Sequence, residues 1–157
     1  ERVFRAILER NRAILWAWIG LGASRMFQGE LDDAQRVWER GRRERRFEGP
    51  TLYAYRGECH RRQGALNRAR RDFRTALAQK PQRLSARVNL ALLERTPALL
   101  DDALQHCTAF APCLMDALEG DAEQRLEGVL LAMRGNRSSS PWMMSYHLWG
   151  RLWRRAT

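Results

Sequence analysis

The chain has 157 residues and 18.3 kDa, with 45% hydrophobic and 29% charged residues, five Pro and eleven Gly. That suits one packed domain or a piece of a longer repeat array, and it excludes disordered, collagen-like and low-complexity classes. Net charge is +10, from 27 Arg and the single Lys80 against 18 acids.

The charge is uneven: residues 1–95 hold 22 basic and 11 acidic residues (net +11), and residues 96–134 hold 2 and 7 (net −5). No apolar run of about 18 residues is present, so no membrane span is expected. Three cysteines, Cys59, Cys107 and Cys113, contain no CxxC pair. That argues against a disulfide framework and for a reducing, cytoplasmic setting. The chain opens on Glu1 rather than Met, with no charged-then-apolar leader. It reads as an internal start, with the true N-terminus and any export signal lying outside it.

In chain order, residues 1–12 read as the tail helix of an earlier unit. An inner helix is expected over 14–28, a turn at Gly29 and an outer helix over 31–46. The next pair is expected over 51–63 and 66–79, stopped by Pro81. A third pair spans 83–94 and 98–110, with Thr96-Pro97 opening its second helix. Beyond Pro112 the pattern changes. A short helix over 112–119 is broken at Gly120, and Asp121 caps a helix over 122–134. After the loop 134–140, Ser140-Pro141 starts a last helix on which Trp142, Tyr146, Trp149 and Trp153 form one apolar stripe. This helix is expected to close the open end of a repeat stack. A membrane-surface anchor beside Arg151, Arg154 and Arg155 is the rival, and a docking face is the third reading.

Internal self-similarity organises these elements. Trp18, Gly22, Gly29, Leu31, Ala34, Trp38 and Gly41 recur 35 residues later as Tyr53, Gly57, Gly64, Leu66, Ala69, Phe73 and Ala76. A weaker third copy follows 34 residues on, with Leu90, Ala91, Ala98, Leu100, Ala103 and Cys107. The stretches WIGLGASRMFQGELDDAQRVWERG and YAYRGECHRRQGALNRARRDFRTALAQKP resemble the tetratricopeptide repeat family. The resemblance covers residues 1–112, divided as a partial unit 1–12, units 14–48 and 49–82, and a degenerate unit 83–112; residues 113–157 form a C-terminal helical cap. It weakens at Arg25, Arg46, Arg56, His60, Arg87, Ala98 and Cys107, where the family has other residue types. It implies an all-α, right-handed superhelical stack of helical hairpins. It also implies a concave face of inner helices holding a peptide or protein. The matching groove positions are Trp16, Ile19, Ala23 and Met26, then Tyr55, Glu58 and Arg62, then Asn89. The carboxylate clamp of some family members has Ile19 and Ala23 at its positions here, so no clamp is expected. Trp16 and Met26 have a second reading, packing against the helix at 1–12.

Other constellations read as structural. Cys59-His60 and His106-Cys107 are adjacent pairs, which point about 100° apart on a helix and do not share a metal, so no metal site is expected. Ser138, Ser139 and Ser140 before His147 lack a nucleophile elbow, so no catalytic residue and no cofactor is expected. Asp32-Asp33 and Asp101-Asp102 complement helix dipoles. Arg40, Arg42, Arg43, Arg45 and Arg46, then Arg61, Arg62, Arg68, Arg70, Arg71 and Arg74, form a basic patch, whose plain reading is a solvated Arg/Glu surface. Trp38 and Phe73 are needed in the core and are not free to stack on bases. The expected function is therefore a non-catalytic scaffold or adaptor for a protein partner, acidic in one reading. The alternatives are a basic repeat module binding RNA or another polyanion, and an appended regulatory domain of a larger signalling protein or enzyme. Pairing of copies through the Trp stripe is a further expectation.

Overall fold

The computed structural model describes residues 1–45, 48–110 and 120–134. Among them are eight helices: α1 (Arg2–Arg10), α2 (Leu15–Phe27), α3 (Leu31–Arg45), α4 (Pro50–Arg62), α5 (Leu66–Gln79), α6 (Leu84–Glu94), α7 (Pro97–Phe110) and α8 (Ala122–Arg134). The described residues contain no strand. Each boundary falls within about two residues of the position that Gly, Pro and capping residues mark in the sequence. The Trp-bearing segment 142–153 lies outside the described residues. The chain divides into two compact units, Glu1–Lys80 and Pro81–Thr157.

In the first unit α2/α3 and α4/α5 are helical hairpins, α1 packs on α2, and α4 packs on α2 and α3. The same turn closes both hairpins. Gly29 at φ +86° and Gly64 at φ +74° take the left-handed conformation that glycine adopts without a Cβ penalty. Each turn carries the same hydrogen bonds one repeat apart. Gly29 N–H donates to the Met26 carbonyl and Glu30 N–H to that of Arg25; Gly64 N–H donates to the Arg61 carbonyl and Ala65 N–H to that of His60. These bonds satisfy helix-end carbonyls that would otherwise be orphaned.

Glycine also sets the helix spacing within each hairpin. A Cβ on Gly57 would lie 2.6 Å from Cε1 of Phe73, and one on Gly41 would lie 2.8 Å from Cγ of Trp18. A Cβ on Gly22 would intrude on the indole of Trp38. Aromatic and glycine thus face each other across the hairpin, and Trp38 and Phe73 are buried at 1% and 0% exposure. Trp38 donates its indole N–H to the Ile19 carbonyl at 3.2 Å, and Trp18 donates to the Arg12 carbonyl at 2.9 Å. Each buried indole therefore keeps its polar atom satisfied.

The second unit solves the same problem with different residues. The α6/α7 turn has no glycine. Arg95 takes the left-handed conformation at φ 51°, and Thr96 accepts the N–H groups of Leu99 and Leu100. Cys107 stands at the position of Trp38 and Phe73 and is a much smaller side chain. α8 packs on both α6 and α7. Its Leu126 and Leu130 join Val88, Ala91, Leu100, Ala103 and Cys107 in one cluster. Asp121 caps α8, as its position before the helix suggests. Its side chain accepts Gln124 N–H at 2.9 Å, and the Gln124 side chain accepts Asp121 N–H at 2.9 Å. This is a reciprocal capping box.

Candidate functional site

α2 is apolar on nearly every face, because it is covered by α1, α3 and α4. Phe4, Ile7 and Leu8 of α1 pack into the cluster that holds Trp18, Ile19, Ala23 and Met26. Of the four groove positions on this helix, Ala23 and Met26 have no exposed surface and Ile19 is buried. Met26 lies buried in the cluster against which Phe4 and Ile7 of α1 pack. Trp16 is different: its side chain is 51% exposed at the first turn of α2. Ile14 and Leu15 beside it are 41% and 39% exposed. The sequence reading missed these two neighbours. Their signal was the unbroken apolar run over 13–19, which begins before α2 and includes Trp16.

On α4 the groove positions are half-buried or buried. Tyr55 packs against the core of the first unit, its ring centroid 6.4 Å from that of Trp38. Glu58 is buried, and its carboxylate accepts Arg61 Nε at 2.9 Å and Arg62 Nε at 2.8 Å. Arg62 also reaches back to α2. Its Nη1 donates to the Met26 carbonyl at 3.4 Å, and its guanidinium lies 4.9 Å from the centre of the Phe27 ring. Glu58 and Arg62 thus tie α4 to the end of α2. Asn89 belongs to the second unit; it is buried and donates its side-chain amide to the Ser85 carbonyl at 2.8 Å. Of the eight groove positions, Trp16 alone is exposed.

The remaining candidates take structural roles. Asp32 accepts the Gln63 side chain at 2.9 Å, Asp33 pairs with Arg36, and Asp102 pairs with Arg87. His60 Nδ1 lies 3.0 Å from Asp72 Oδ2, and Arg56 Nε lies 3.5 Å from the same oxygen. Burial pushes the Cys59 and Cys107 thiols up to about 11, so both stay protonated at neutral pH. Among the described residues no group of three or more His, Cys, Asp or Glu is placed to hold a metal ion. No helix among them is long and apolar enough to cross a membrane. Cys113, Ser138, Ser139, Ser140 and His147 lie outside the described residues.

The arginine runs divide into two kinds. On α3, Arg40 pairs with Glu44 at 2.7 Å. Arg42 pairs with Glu39 at 3.1 Å and Glu48 at 2.7 Å, and Arg43 pairs with Glu39 at 3.2 Å. The hydrogen bonds of Arg42 and Arg43 hold the Glu39 carboxyl below its usual range. On α5 the one acid, Asp72, is only 5% exposed. Arg68, Arg71 and Arg74 lie on the outside of that helix.

No family model, no curated protein and no solved structure matches the chain.

Proposed function

We propose that this chain is a tetratricopeptide-type scaffold: a right-handed stack of helical hairpins that holds a protein partner through an apolar anchor at Trp16. The observation that carries the reading is the half-exposed Trp16, flanked by exposed Ile14 and Leu15, on a helix most of whose other apolar residues are buried. A large rigid side chain of this kind supplies contact area at low entropic cost and is enriched among interface residues that dominate binding. The 35-residue register of Gly22, Gly29 and Trp38 with Gly57, Gly64 and Phe73 supports the family reading. The groove in this proposal is narrower than the family pattern implies. It centres on Ile14, Leu15 and Trp16 at the start of α2, whereas Arg62 packs against the other end of that helix.

The test is capture from lysate of the source cells on the immobilised chain, with nuclease present. The proposal expects a discrete protein retained by the wild type and lost with Trp16→Ala, while the circular dichroism of the variant stays unchanged. Equal retention by the folded Trp16→Ala chain would overturn it.

A further inference from the structure

We draw no further inference here: the strongest candidate, the surface patch on α1 where Val3 and Ala6 are exposed although Trp38 and Gly41, 35 residues later, are buried, carries nothing because nothing in the structure shows what covers it.

Discussion

Gly57 and Phe73 make the sharpest single-residue constraint in the first unit. A methyl group on Gly57 would sit 2.6 Å from the ring of a side chain with no exposed surface. The ring has nowhere to go, because close-packed interiors do not yield by that amount without strain. Gly57→Ala should therefore destabilise the chain by about 1–3 kcal/mol in denaturant unfolding. Adding Phe73→Leu should recover part of that loss, so that the two changes are not additive; full additivity would contradict the contact. The buried thiols make a second claim at this scale. Cys59 and Cys107 are raised by burial from 9.0 to about 11. A group raised on folding supports the folded state fully below its unfolded value and loses that support as pH rises through its folded one. Stability should fall between about pH 9 and 11, and in a Cys113→Ser background no thiol should react with a disulfide reagent at pH 8 until the chain is unfolded. Rapid labelling of the native Cys113→Ser chain would refute the burial.

Helix limits were legible because glycine, proline and capping residues mark them. Gly29, Gly64, Pro81 and Thr96-Pro97 each act through a local backbone effect that needs no knowledge of neighbours. Asp121 was legible for the same reason, and Asp121→Ala should cost about 1 kcal/mol by removing one half of the capping box. That loss should appear as reduced hydrogen-exchange protection at the start of α8, and unchanged protection there would contradict the cap. The groove was less legible. Periodicity shows which residues of α2 are apolar but not what covers them, and Phe4, Ile7 and Leu8 of α1 contribute to that covering. Glu58 and Arg62 look like exposed polar groove residues in sequence, yet the pairing of Glu58 with both Arg61 and Arg62 and the reach of Arg62 to Met26 turn them into packing. The role of α8 in the second unit was likewise hidden. The sequence shows that Cys107 is small, and only the packing shows that Leu126 and Leu130 complete its cluster.

For the whole chain, net charge is a poor guide until each arginine is matched with its neighbours. The run at Arg40–Arg43 dominates the sequence, yet Arg40, Arg42 and Arg43 each pair with a glutamate of α3 or with Glu48. Apolar surface divides in the same way. Most of α2 is enclosed, and Ile14, Leu15 and Trp16 stay at the surface. On this account the chain is a scaffold with an apolar anchor at the start of α2. The most direct test of the scaffold claim is photo-cross-linking in the source cells, with a photoreactive phenylalanine analogue placed at position 16 and, as control, at the exposed position 36 of α3. The account predicts a discrete protein adduct from position 16 and none from position 36. No adduct at position 16 above the level at position 36 would contradict it.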